Sequence, residues 1–246
     1  ETRLKASAFL DILQKKELGM KLKPSLPLTG TGKRVLLIDH QDSFVHTLAN
    51  YIRQTGAEVS TIRFDKALLY LNLNSAVEST TSASRYDSTD EFKLKEQKYD
   101  LVVLSPGPGK PSDFQVSKTI DAVISQGIPL FGVCLGLQGI VEYFGGVLDV
   151  LDYPMHGKPS RVHVTHSTYL FSGLDGHFKV GRYHSLYARL TAMPQELKVT
   201  AMSDDGIVMA VSHQNLPIHA VQFHPETILS LVNQAGIKII TNLMEM

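Results

Sequence analysis

With one cysteine in 246 residues, Cys134, the chain has no intramolecular disulfide framework, and such sparing use suits the reducing cytoplasm. Nor is there an excess of charge. Lys plus Arg and Asp plus Glu both number 24, so no polybasic signature points to nucleic acid or anionic lipid as a partner. No apolar run approaches the ~18 residues of a membrane span, and no signal-peptide pattern opens the chain. The Gly-Lys-Ser/Thr ending of a phosphate loop is also missing. What remains is an ordinary globular composition, 43% apolar and 20% charged. At 27.2 kDa it allows one large α/β domain or two small ones with ample core. The first residue is glutamate, which suggests a piece of something longer.

The pattern along the chain supports that expectation. Residues 4–13 read as an amphipathic helix, and the Pro/Gly-containing stretch from Lys21 to Gly32 reads as a linker. A compact pattern then starts at Lys33. Val35-Leu36-Leu37-Ile38 is an apolar run typical of a strand buried on both faces, and Asp42-Ser43 can cap a following helix with apolar positions at Phe44, Leu48, Tyr51 and Ile52. Further strands are expected at residues 59–63, 101–104 and 128–133, with a helix at residues 115–126. Strands alternating with helices imply right-handed crossovers and a mainly parallel sheet. Residues 73–97 break the pattern and read as an inserted surface loop, with a short helix near Glu91 to Lys95. Beyond Gly145-Gly146, alternating runs at 160–164, 197–201, 207–211 and 218–223 predict strands, several antiparallel, before a final helix over about 229–244.

Cys134 lies in Gly132-Val133-Cys134-Leu135-Gly136, after a short apolar strand and before a helical pattern. A lone cysteine is most simply a small buried hydrophobe. Glycines on both sides at a strand-to-helix turn argue instead for a nucleophile elbow, with the thiol reachable at a helix N-terminus that favours its anion. Such a nucleophile needs a proton-transfer partner. Of the 10 histidines, His163 and His166 have poor metal-ligand spacing. His224 ends a predicted buried strand, at the sheet edge where Cys134 also falls, and Glu226 is near enough to hold its tautomer. Ser105-Pro106-Gly107-Pro108-Gly109 follows another strand to that edge. It is either a plain turn or a loop whose N–H groups approach a substrate.

Taken together, Gly132–Gly136 with Gln138, the Ser-Pro-Gly-Pro-Gly loop, Met155-His156-Gly157-Lys158, Arg182-Tyr183-His184-Ser185-Leu186 and Gln222-Phe223-His224-Pro225-Glu226 resemble a class I glutamine amidotransferase. They are most similar to the glutaminase components of anthranilate synthases, as is the opening from Val35 to Phe44. The resemblance covers about residues 33–246. It implies a flavodoxin-like α/β fold, a mainly parallel open sheet flanked by helices with additional antiparallel strands. It also implies hydrolysis of L-glutamine, with the ammonia passed to a synthase that aminates chorismate in tryptophan biosynthesis. Carried over by residue, Cys134 attacks the carboxamide, His224 moves the proton and Glu226 orients it. Gly107 and Leu135 N–H groups hold the oxyanion, Gly109 completes that loop, and Gln138, Ser185 and Leu186 bind the backbone end of glutamine. Where many relatives have histidine this chain has Leu137, a departure outside the triad.

Residues 1–22 resemble the last helix of a chorismate-using synthase, which with a linker at 23–32 and an amidotransferase domain at 33–246 implies a fused enzyme. Asp113 and Phe114 also resemble the fused type. The resemblance implies no cofactor or metal in this domain, with Mg expected in the synthase domain. Its partners are then glutamine and the synthase, not nucleic acid or membrane. Two other readings stay open: a glutaminase serving another chorismate-aminating enzyme, for aminodeoxychorismate or a phenazine precursor, or a non-catalytic interaction module of the same fold.

Overall fold

The computed structural model describes residues 27–72, 99–231 and 234–246. The helix expected at residues 4–13 and the insertion expected at 73–97 lie outside the described residues. The elements run β1 (Arg34–Asp39), α1 (Val45–Gln54), β2 (Glu58–Arg63), α2 (Phe64–Asn72), β3 (Leu101–Leu104), a 3-10 turn (Pro111–Phe114), α3 (Val116–Ser125), β4 (Leu130–Val133) and α4 (Leu135–Tyr143). They continue as β5 (Leu148–Val164), β6 (His177–Ala188), β7 (Leu197–Ser203), β8 (Val208–His213), β9 (Ile218–Val221), α5 (Ile228–Leu231) and α6 (Ala235–Leu243).

All the strands join one nine-stranded sheet in the order β2-β1-β3-β4-β9-β8-β7-β5-β6. From β2 to β9 neighbours are parallel, and from β9 onward they are antiparallel. The parallel half is walled by apolar residues on both faces, which explains its unbroken apolar strands: Val35 to Ile38 in β1 are fully buried, as is Phe131 in β4. Helix α1 turns Val45, Leu48, Ala49 and Ile52 inward, the spacing of one helical face. Because β1, β3, β4 and β9 are parallel and in register, their carboxyl ends deliver His40, Ser105, Cys134 and His224 to one edge.

Three local expectations are corrected. Phe44, not Asp42 or Ser43, is the capping position of α1; Asp42 Oδ1 instead accepts the Phe44 N–H one step earlier, at 2.8 Å. The run at 160–164 is only the end of a strand that starts at Leu148 and pairs with β6, a strand its mixed polar sequence did not announce. The single final helix is two helices, with Gln234 in the left-handed region (φ 59°) before α6. No helix among the described residues is long and apolar enough to cross a membrane.

Candidate active site

The turn after β4 is built by close backbone packing. A Cβ on Gly132 would sit 2.6 Å from the Gly136 carbonyl carbon, and one on Gly136 would sit 2.7 Å from Leu104 O. Both glycines are therefore needed to press α4 against β4 and β3, which accounts for their places on either side of the cysteine. Between them Cys134 is held at φ 53° and ψ −99°, a conformation that costs a non-glycine residue about 1–3 kcal/mol. Its N–H is fixed by Val221 O at 2.8 Å, which ties the elbow to β9. The first turn of α4 leaves N–H groups without intrahelical acceptors around the thiol.

One strand away, β9 runs out into Gln222 and His224. The His224 N–H bonds Gly181 O on β6 at 3.1 Å, and Ser230 Oγ donates to His224 O at 2.6 Å. With its backbone held from both sides, His224 places Nδ1 2.8 Å from Glu226 Oε1, both side chains almost completely buried. Burial works against a charge on the imidazole. The Glu226 carboxylate and the Cys134 sulfur outweigh it and raise His224 to about 10. Nε2 is buried and makes no well-aligned hydrogen bond, while the Cys134 thiol is close enough to contribute to that rise. The structure thus brings Cys134, His224 and Glu226 together around a proton held on the ring. Such a set can perform nucleophilic attack followed by proton delivery to a leaving group.

The expectation of a reachable thiol is not met. Cys134 is only 4% exposed. The His224 ring is covered edge-on by Phe44 (5.5 Å between centroids) and Tyr183 (5.1 Å), which also touch each other at 5.1 Å. These contacts join residues far apart in sequence, so no local pattern announced them.

Gly107 lies against the elbow. A Cβ there would come within 2.8 Å of His40 Cβ and 3.2 Å of Leu135 Cδ1, so the loop and the start of α4 meet closely. The loop is anchored from β1: His40 N–H donates to Ser105 Oγ at 2.9 Å, and Ser105 Oγ donates to Pro106 O at 2.7 Å. Burial holds His40 down at about 4 despite its contact with the Ser105 carbonyl, so its ring stays neutral between Phe64 and Phe114. Gly109 stands apart. It is exposed at φ +70° and packs on Asp113, which accepts the Lys110 N–H at 3.0 Å, so it shapes the loop.

Gln138 and Leu186 are brought together: the Gln138 amide donates to Leu186 O at 3.0 Å. Ser185 is half-buried beside them, where the β5–β6 register jumps from Val150↔Leu186 to Met155↔His184 and residues 151–154 bulge out opposite it. Sequence reasoning passed over Gln222 as part of a motif. Its Nε2 is 3.5 Å from Cys134 Sγ, a side-chain donor to the sulfur. Leu137 is fully buried among apolar residues, in keeping with its identity. His163 contacts His177 and Asp204, and His166 contacts Val199 O; no group of three or more His, Cys, Asp or Glu among the described residues has the arrangement of a metal site.

Known proteins share this framework. Residues 36–242 match the family model for class I glutamine amidotransferases. The chain belongs to that family. An anthranilate synthase of Azospirillum brasilense is 51% identical over all 246 residues, which span 30% of that protein's length. Anthranilate synthase component 2 of Mycobacterium tuberculosis is 39% identical over 210 residues, 85% of this chain and 80% of that one. Among solved structures, a putative GMP synthase subunit from Thermoplasma acidophilum superposes with a TM-score of 0.66 at 24% identity, covering 87% of this chain and 92% of its own. This last likeness concerns the fold alone. In a sheet of this kind the carboxyl edge of the parallel strands is the place to look for chemistry, and here it holds the only cysteine of the chain.

Proposed function

We propose that the chain is the glutaminase part of an anthranilate synthase. The observation that carries the chemistry is the buried Cys134–His224–Glu226 set on a strained elbow, with Glu226 2.8 Å from the imidazole. The Cys134 thiol passes its proton to His224 as the sulfur attacks the carboxamide carbon of glutamine, and the C=O electrons move onto oxygen. The N–H groups of Gly107 and Leu135 receive that oxyanion, an interaction that lowers barriers of this kind by about 3–4 kcal/mol. The proton on His224 passes to the amide nitrogen, the C–N bond breaks, and ammonia leaves behind a glutamyl thioester. Water, deprotonated by the now neutral His224, cleaves the thioester to glutamate and restores the thiol. Glu226 holds the ring throughout. Gln138, Ser185 and Leu186 bind the backbone end of the substrate.

The pathway assignment rests on the Azospirillum brasilense protein, whose match, 51% identical over all 246 residues, takes in residues 1–32 as well as the amidotransferase region. That continuity supports residues 1–22 as the end of a synthase domain, 23–32 as a linker and 33–246 as the amidotransferase domain. The ammonia then reaches a chorismate-using synthase site on the same polypeptide, in the cytoplasm.

A diazoketone analogue of glutamine tests the reading. It should alkylate Cys134 stoichiometrically in the whole enzyme, detected by peptide mass spectrometry, with protection by glutamine. Modification elsewhere, or none at Cys134, would refute it.

A further inference from the structure

Arg182 is completely buried within β6, and no step of the glutaminase chemistry uses it. Its Nη1 donates to both Asp205 carboxylate oxygens, at 2.8 and 2.9 Å, and to Ser160 Oγ at 3.3 Å, while Nη2 is buried without a partner among the described residues. A buried guanidinium with an unmet donor is a poor choice for stability alone. Its Nε donates to His184 Nε2 at 3.0 Å. Because a guanidinium offers no lone pair, His184 Nε2 must accept and Nδ1 must carry the ring hydrogen. That Nδ1 donates to Leu186 O at 2.8 Å. Burial, aided by the Arg182 charge, holds His184 down at about 3, so the ring stays neutral in this one tautomer.

The consequences continue toward the thiol. Beside the bulge at residues 151–154 the β5–β6 register is broken, so side chains, not the ladder alone, hold this stretch of β6. Leu186 O can only accept, so the Gln138 group facing it is Nε2. The second Nε2 hydrogen points to Gln222 Oε1 at 3.4 Å, which turns the Gln222 Nε2 to Cys134 Sγ. Each amide orientation follows from the one before it. Gln138 Oε1 is left as an acceptor with no donor among the described residues.

We propose that Arg182, anchored by Asp205, is a positioning residue for recognition of the glutamine α-ammonium group. Through His184 it fixes the Leu186 peptide and with it the Gln138 amide, whose free Oε1 receives the ammonium. The inference rests on the glutaminase reading above. A lysine at position 182 would supply charge without the fork that binds Asp205 and His184 at once. His184 would then be free to change tautomer and face Leu186 O with a lone pair.

The test compares the whole synthase with its R182K, D205N and D205E forms. Three quantities are measured: kcat and KM for glutamine, and Ki for glutaramate, which is glutamine without its α-amino group. R182K should raise the glutamine KM about tenfold, the loss of one charge-assisted hydrogen bond, with kcat and the glutaramate Ki nearly constant. D205N, on the half-exposed end of the chain of contacts, should move the same way by about threefold, and D205E should recover most of it. KM and Ki do not depend on how much enzyme is folded, so partial unfolding of R182K does not mimic the result. KM and Ki rising in parallel, or neither changing, overturns the inference alone. A wild-type enzyme that does not hydrolyse glutamine overturns the glutaminase reading and this inference with it.

Discussion

Glu226→Gln removes a single charge from the most buried part of the site and keeps the shape. In the wild type, burial disfavours a charged His224, and the carboxylate 2.8 Å from Nδ1, with the Cys134 sulfur, reverses that and brings the ring from 6.5 to about 10. A glutamine at 226 can still accept the Nδ1 hydrogen but no longer balances the charge. Burial then acts with less opposition, and His224 titrates near or below its ordinary value. The enzyme loses the proton that departing ammonia requires, so kcat/KM for glutamine should fall about 10²–10⁴-fold at pH 8. The alkaline limb of its pH profile, expected near 10 in the wild type, should move down by more than a unit. Stability follows the same proton. Since the folded ring binds it more tightly than the unfolded one, its contribution is complete below pH 6.5 and fades as the pH rises through 10. The variant should therefore unfold in urea at lower concentration at pH 7, by about 3–5 kcal/mol, with the gap narrowing toward pH 10. An alkaline limb that stays in place in Glu226→Gln would refute the assignment of Glu226 as the group that charges His224.

Gly107→Ala would place a Cβ 2.8 Å from His40 Cβ and 3.0 Å from His40 O, so the loop must retreat. It should cost about 10²-fold in kcat with a smaller change in the glutamine KM, measured by glutamate release; a lower kcat in proportion to lost folded protein would argue against an oxyanion role. Gly236→Ala perturbs the catalytic turn from behind. Its Cβ would lie 1.9 Å from Pro225 O, so α6 must shift away from the His224–Glu226 turn, lowering the melting temperature by several degrees. Activity should fall with it, and retention of both would mean that α6 does not brace the turn.

The sequence was most informative where function concentrates residues into short words. The elbow, the Pro-Gly loop and His224-Pro225-Glu226 each occupy a few consecutive positions at strand ends, and the rule that parallel strands deliver their carboxyl ends to one edge brought them together. Contacts set by long-range register were not legible. Arg182 and Asp205 are joined by strand pairing across β5 to β7, and the aromatic cover of Phe44 and Tyr183 spans the sheet. Strand β6 carries charged and apolar residues in an uneven pattern because its site-proximal end is buried through polar contacts. The break before α6 escaped notice because Gln234 takes a left-handed conformation that glycine usually signals.

The sulfur of Cys134 is assigned the glutaminase chemistry and no other task in the enzyme. Cys134→Ser changes that one atom within an elbow whose glycine packing is untouched. The measurement is anthranilate formation by the whole synthase, with glutamine and with ammonium salts as alternative nitrogen donors. Glutamine-dependent formation should be lost while ammonium-dependent formation continues at the wild-type rate. Glutamine-dependent activity surviving in Cys134→Ser, or both activities disappearing together, would contradict it.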